Sequence, residues 1–234
     1  MPAPTLYIID AYAQFFRNYH AIRTPMSSPV TREPTNMTFG FVGMLLKLLR
    51  ADGPNLRRHG RPDFLAVALD VSGDRGTFRS QLYPEYKAHR PPPPDDLEPQ
   101  VERCLAMLRE LGVPVLGAEG FEADDVMATM VTRLRAEHPD LRIRLVSKDK
   151  DLKQLLEGGP SSNGADAAST DAADGEPDAP VALFDVQTDT PFGPAALARD
   201  LGITPAQVID LLALMGDTSD CVAAFDGGGD TVLV

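Results

Sequence analysis

Acidic residues recur at the ends of apolar runs in this chain, and this pattern constrains the fold more than any other feature. Three such junctions occur, at Leu6–Ile9 before Asp10, at Phe64–Leu69 before Asp70, and at Ile143–Ser147 before Asp149 and Asp151. Apolar runs rich in Val, Ile and Leu that alternate with helical patterns predict buried parallel strands. The carboxyl ends of parallel strands share one edge of an open sheet, so these acids should converge there. We therefore predict an α/β fold with a central, mostly parallel sheet.

The chain contains two more acidic clusters. Glu122–Asp125 lies between the second and third of these junctions, and Asp217–Asp220 lies after the third. Converging carboxylates repel one another unless a cation lies among them, and hard divalent ions prefer oxygen ligands. Any one of these acids alone would more often be a turn or helix-capping residue. Their recurrence at corresponding points of the fold instead indicates two metal ions, an arrangement that suits in-line displacement at a phosphodiester.

Overall composition sets a few limits. The net charge of the 234-residue chain is −12, which alone argues against a nucleic-acid partner, unless the acids are metal ligands or lie in a separate segment. No apolar run is long enough to span a membrane, and no basic region precedes the first one, so neither a span nor a signal peptide is predicted. Cys104 and Cys221 are too few for a disulfide framework or a zinc site. These observations favour a cytoplasmic, monomeric protein without a membrane partner.

Two segments between the predicted elements have distinctive compositions. The stretch from Arg75 to Arg90 is basic and contains interleaved aromatic residues. Within it, Lys87 and Arg90 could stabilise charge on a scissile phosphate, and Tyr86 could stack on a base. Residues 158–180 consist mainly of Gly, Pro, Ser, Ala and Asp without apolar periodicity, so we predict a disordered insertion there.

The combined motifs resemble those of the flap-endonuclease family, which includes the 5′-nuclease domain of bacterial DNA polymerase I. The resemblance covers about residues 5–220 apart from the insertion. The motifs are Ile8-Ile9-Asp10, Leu69-Asp70, Phe78-Arg79, Tyr83-Pro84-Glu85-Tyr86-Lys87-Ala88-His89-Arg90, Glu122-Ala123-Asp124-Asp125, Lys148-Asp149-Lys150-Asp151-Leu152 and Gly216-Asp217-Thr218-Ser219-Asp220. Together they are far more specific than any one alone.

The resemblance implies a PIN-like, three-layer fold with a helical arch. It also implies a 5′→3′ exonuclease and flap endonuclease that acts in DNA replication and repair with two Mg²⁺ or Mn²⁺ ions. Its partners would be DNA with 5′ ends or 5′ flaps and a polymerase domain in a longer chain, and its location would be the nucleoid.

Individual roles also follow from the resemblance. The ligands of the first metal would be Asp10, Asp70, Glu122 and Asp124, and those of the second would be Asp149, Asp151 and Asp220. Asp125 and Asp217 would act as outer or water-mediated ligands. Contacts to DNA would come from Arg17 and from the arch residues Arg79, Tyr86, Lys87 and Arg90, of which Lys87 and Arg90 would be catalytic.

The chain departs from the family pattern after Asp220. The family continues with Asn, a Val-Pro-Gly turn and a Gly-rich hairpin that grips the duplex, whereas Cys221 and Val222–Phe225 stand here. We therefore interpret residues 1–220 as the catalytic core and 221–234 as a truncated remnant of the duplex-binding region.

Two alternatives to the nuclease hypothesis stay open. One is a remnant that binds metal or DNA without efficient cleavage, and the other is a PIN-type RNase. A phosphatase that forms an aspartyl-phosphate is disfavoured, because Tyr12 occupies the position where its second Asp would stand.

Overall fold

The computed structural model describes residues 3–158 and 178–224. Their centre is a six-stranded sheet with the strand order β3-β2-β1-β4-β5-β6. The strands are β1 (Thr5–Asp10), β2 (Phe64–Ala68), β3 (Val115–Leu116), β4 (Arg142–Val146), β5 (Val181–Asp185) and β6 (Thr190–Phe192). The first five are parallel, and β6 pairs antiparallel with β5. The predicted mostly parallel sheet is confirmed.

β1 occupies the centre of the sheet because both of its faces are apolar. Every residue of β1 is buried. Tyr7 and Ile9 contribute to one apolar layer, and Leu6 and Ile8 contribute to the other. Such a strand needs a cover on both faces, which helices provide.

Helices form the outer layers. They are α1 (Ala11–Ala21), α2 (Asn36–Arg50), α3 (Pro54–His59), α4 (Phe78–Leu82), α5 (Glu98–Glu110), α6 (Ala123–Glu137), α7 (Pro194–Leu201) and α8 (Val208–Met215). The first core cluster packs α1, α2, α3 and α5 on one face of the sheet. The second packs α6, α7 and α8 on the other face, which gives the predicted three layers.

The local differences from the sequence-based expectation involve short elements. Pro54 starts α3 shortly after α2 ends at Arg50, since proline is favoured in the first turn of a helix. The segment after β4 forms a single 3-10 helix, Asp151–Leu155, which is too short to show a helical period in the sequence. β6 has only three residues, too few for a periodic signal in the sequence.

The basic segment connects β2 to α5 across the carboxyl edge of the sheet. Its helical part is α4, and the residues from Pro84 to His89 form turns. Most of the predicted insertion and the end of the predicted remnant lie outside the described residues. Within the part of the chain that is described, no helix is both long and apolar enough for a transmembrane segment.

Candidate metal and nucleic-acid site

Asp10 is held at the carboxyl end of the central strand by hydrogen bonds to both of its oxygens. Its Oδ1 accepts a bond from the Ala13 amide at 3.1 Å and so caps α1, while its Oδ2 accepts a bond from the Ser147 hydroxyl at 2.9 Å. Burial raises the pKa of Asp10 to about 6, and the carboxylates of Asp70 and Asp149 add to this effect. Asp10 is therefore a buried, fixed carboxylate that lies among other acids.

The start of α6 brings a second group of acids to the same edge. Asp70 follows β2 and accepts a 2.7 Å hydrogen bond from the Ala123 amide, which ties the strand to the helix. The Glu122 amide in turn donates a 2.9 Å bond to Asp125. These bonds satisfy backbone groups that a helix N-terminus leaves free, and they fix the Glu-Ala-Asp-Asp motif in the cleft.

Asp124 lies where the two groups of carboxylates meet. Its pKa is raised to about 8, first by burial and then by the negative charges of Asp10 and Asp149, with smaller effects from Asp70 and Asp151. Acids at the carboxyl ends of β1, β2 and β4 thus act on one side chain of α6. Mutual repulsion of this size is relieved when a cation binds among the carboxylates.

Asp149 and Asp151 follow β4 in a tight turn. The Asp151 amide donates a 2.8 Å bond to Asp149 Oδ1, and the Asp149 amide donates a 3.1 Å bond to the Ser147 hydroxyl. Burial and the neighbouring charges of Asp149 and Asp217 raise the pKa of Asp151 to about 6. Ser147 therefore links this pair to Asp10.

The turn after α8 carries the last two predicted ligands. Asp217 and Val222 form an antiparallel bridge with two backbone bonds of 2.8 Å, which places Asp220 at the tip of the turn. Asp217 pairs with Lys150 at 3.1 Å, and this ion pair lowers the pKa of Asp217 despite its partial burial. Asp220 accepts a 2.6 Å bond from Arg90.

The basic segment folds over these acids and pairs with them. Arg79 binds Asp125 through two bonds of 2.7 and 2.8 Å, and Lys87 binds Glu122 at 2.8 Å. These basic residues and their acidic partners line one cleft of about 470 Å³. The structure thus brings the predicted arch cations and most of the predicted metal ligands to one place.

Two predicted DNA-binding residues have other surroundings. Tyr86 is 6% exposed, and its hydroxyl donates to the carboxylates of Glu122 and Asp220, so the stacking predicted for its ring requires it to leave this position. Arg17 makes a two-bond ion pair with Asp185 at 2.7 and 2.9 Å, and Lys148 joins the same carboxylate at 2.8 Å.

Asp185 is the acid that sequence reasoning missed. It ends β5, and the charges and backbone amides around it hold its pKa well below the usual range. The sequence does contain the signal that predicted Asp10, because Asp185 directly follows the apolar run Val181–Phe184. Asp185 anchors Arg17 and Lys148 beside the cleft.

The donor chemistry of the cleft fits hard divalent cations, because the side chains gathered there are carboxylates. Glu122 Oε1 is buried without a hydrogen-bond partner in the described structure, as expected of an oxygen reserved for a ligand. Among residues 3–158 and 178–224, however, no three Asp, Glu, His or Cys side chains already stand close enough together to hold an ion. Ion pairs with Arg79, Lys87 and Arg90 occupy several of the carboxylates instead.

Comparisons with known proteins agree with this geometry. Residues 5–168 match the family model described as the 5′-3′ exonuclease, N-terminal resolvase-like domain. DNA polymerase I of Mycobacterium bovis is 36% identical over 229 residues, which are 97% of this chain and 22% of the relative. A 5′-3′ exonuclease of Aquifex aeolicus is 30% identical over 230 residues, which are 98% of this chain and 68% of the relative. The chain therefore spans about a fifth of the length of its polymerase relatives.

A solved structure supports the fold. The phage T5 D15 flap endonuclease, crystallised as a pseudo-enzyme-product complex with DNA and metal ions, matches with a TM-score of 0.61 at 20% identity. The match covers 96% of this chain and 71% of the T5 chain. At this level of identity, the similarity establishes the fold.

Proposed function

Because the chain belongs to the 5′-3′ exonuclease family, we propose that it hydrolyses DNA phosphodiesters as a metal-dependent 5′ nuclease. The observation that carries this proposal is the convergence of carboxylates from the ends of three strands on Asp124, beneath a basic segment in one cleft. The T5 flap endonuclease, which has the same fold, was crystallised with DNA and metal ions. This supports the proposal that the present chain also binds DNA and metal ions.

The carboxylates would divide between two ion positions. We assign Asp10, Asp70, Glu122 and Asp124 to the first ion and Asp149, Asp151 and Asp220 to the second, with Asp125 and Asp217 acting through water. When bound, a pair of Mg²⁺ or Mn²⁺ ions supplies an activated water and stabilises the leaving oxygen. Ser147 would position these carboxylates, because its hydroxyl donates a hydrogen bond to Asp10 and accepts one from the Asp149 amide.

The cations of the basic segment would bind the phosphates of the substrate. Arg79, Lys87 and Arg90 line the cleft beside the acids, where they can hold the scissile and neighbouring phosphates through charge-assisted hydrogen bonds. The substrate we propose is DNA with a free 5′ end or a 5′ flap, processed in replication and repair. A polymerase domain is the proposed partner, because the Mycobacterium relative is named DNA polymerase I.

The decisive experiment measures cleavage of a 5′-labelled flap duplex with and without Mg²⁺. Asp124→Ala and Asp151→Ala should each reduce the rate by at least ~100-fold, in line with other losses of transition-state charge stabilisation. Asp140→Ala is the matched control, because Asp140 is exposed in the turn before β4, at the opposite edge of the sheet. Full metal-dependent activity in both cleft variants would contradict the proposal.

The same assay distinguishes the alternatives. Flap binding without turnover in the purified 234-residue chain would favour the non-cleaving remnant. Faster cleavage of unstructured RNA than of the flap duplex would favour a PIN-type RNase.

A further inference from the structure

Two phenylalanines that directly precede cleft-lining residues, Phe78 before Arg79 and Phe121 before Glu122, are in contact with each other. The Phe78 and Phe121 rings have centroids 5.6 Å apart and planes tilted by 53°. Phe121 is 48% exposed, and neither ring contributes to the apolar layers on the two faces of the sheet. The two rings therefore form an aromatic surface that the core does not account for.

The backbone beneath this aromatic pair is fixed. The Phe78 amide donates a 2.9 Å bond to the Gly120 carbonyl, and the Gly120 amide donates a 2.7 Å bond to the Ser72 hydroxyl. Gly120 has a φ of +81°, a conformation that glycine adopts without strain. Thr77 caps α4 just before Phe78. The backbone that carries the two rings is thus held in place before any ligand arrives, which lowers the entropic cost of ordering it on binding.

The aromatic pair is continuous with the basic side of the cleft. The Arg79 guanidinium lies 4.6 Å from the centre of the Phe78 ring and also binds Asp125, a residue that lines the cleft. Phe121 directly precedes Glu122, the residue that binds Lys87. Exposed aromatic rings beside phosphate-binding cations are the combination that proteins use to bind single-stranded nucleic acid.

We propose that Phe78 and Phe121 form a stacking platform for an unpaired base of the DNA strand that enters the cleft beside Arg79. This inference rests on the proposed nuclease function and adds to it a subsite for a nucleobase. Stacking tolerates any base, because every base has a π face, so the subsite binds the single strand without reading its sequence. Arg79 then lies between the platform and the carboxylates, where it can hold the adjacent phosphate.

The absence of tryptophan from the chain permits a direct spectroscopic test. Phe121→Trp places a single fluorophore in the platform, and Phe39→Trp places one on the outer surface of α2, where Phe39 is 63% exposed. Both are made in the Asp124→Asn background, so that a thymine 5′-flap duplex is bound in Mg²⁺ without being cut. We expect the flap to quench the emission of Phe121→Trp and to leave that of Phe39→Trp unchanged.

A second measurement separates stacking from phosphate binding. An abasic flap keeps every phosphate but lacks the π faces, so the protein with Phe121 should bind it about 10-fold more weakly than the thymine flap. Phe121→Leu keeps an apolar side chain without the ring and should bind both flaps equally weakly. Phe121→Tyr keeps an aromatic ring, so it should still bind the thymine flap more tightly than the abasic flap.

The outcomes distinguish the platform from the nuclease function. If the parent chain binds and cleaves the flap, an unchanged emission of Phe121→Trp in the Asp124→Asn background would overturn the platform alone. An equal affinity of the Phe121 chain for the thymine and abasic flaps would do the same. A chain that neither binds nor cleaves the flap would overturn the platform and the proposed function together. Quenching by the flap combined with a loss of the preference in Phe121→Leu would establish the subsite.

Discussion

At the scale of single residues, the acids of the cleft have different roles although they share one chemistry. Asp10 uses both oxygens for hydrogen bonds that position it, whereas Asp185 is neutralised by Arg17 and Lys148. Asp124 instead experiences mainly burial and the repulsion of other carboxylates. The pKa of Asp124, raised to about 8, is therefore the clearest indication that this position needs a cation.

This raised pKa predicts how stability depends on pH without metal. The folded chain keeps the Asp124 proton at pH values where the unfolded chain, with a carboxyl pKa near 4, has already lost it. The resulting destabilisation is absent below about pH 4 and complete above about pH 8. In EDTA, Asp124→Asn should therefore raise the free energy of unfolding at pH 8 by up to about 5 kcal/mol, and by almost nothing at pH 4.

Urea unfolding at a series of pH values checks this expectation. Asp140→Ala, an exposed substitution, supplies the baseline for a change of charge alone. An equal effect of Asp124→Asn at both pH values would show that burial and repulsion do not act on Asp124.

At the scale of secondary-structure elements, the start of α6 combines a structural role with a proposed metal role. Asp70 lies after β2, yet its carboxylate accepts a hydrogen bond from the Ala123 amide in the first turn of α6. A sequence can show an acid before a helix, but it does not show which distant amide that acid binds.

Two substitutions at Asp70 separate these roles. Asp70→Ala removes the acceptor from the helix N-terminus and should cost about 1 kcal/mol of stability as well as the cleavage activity. Asp70→Asn keeps an oxygen acceptor, so it should remain at least as stable as the parent while it loses activity with Mg²⁺. Urea unfolding and flap cleavage are measured on both variants. Equal stability of the two would mean that the bond to Ala123 does not support α6.

At the scale of the whole molecule, charge distribution matters more than the net charge of −12. The cleft contains more carboxylates than basic side chains, although Arg79, Lys87, Arg90, Lys148 and Lys150 all line it. A phosphate backbone would therefore meet net repulsion unless divalent cations neutralise the acids.

This balance predicts that metal is needed for binding as well as for cleavage. Removing Mg²⁺ with EDTA should weaken the affinity for a labelled flap duplex by on the order of 10-fold or more, at constant ionic strength. Fluorescence anisotropy of the DNA measures the affinity, with the Asp124→Asn variant used in both buffers to prevent cleavage. An unchanged affinity in EDTA would mean that the basic residues alone overcome the repulsion.

Much of the fold was predictable because its signals are local. β1, β2 and β4 coincide with the apolar runs before Asp10, Asp70 and Asp149 that predicted buried strands. α3 and β6 escaped prediction because they are too short to show a period. Arg144 interrupts the β4 run but is fully buried, where it binds His59 and the Ala179 carbonyl, partners that only the fold brings near.

The sequence by itself determined the parallel α/β sheet and the edge where its acids gather, because period, apolar runs and strand ends are properties of neighbouring residues. Only the tertiary structure decided the pairings across that edge. It placed Arg79 on Asp125, buried Tyr86 between Glu122 and Asp220, and set Phe78 against Phe121. These contacts join residues 36 or more positions apart, and their electrostatics depend on distance and burial in space, which the order of residues does not contain.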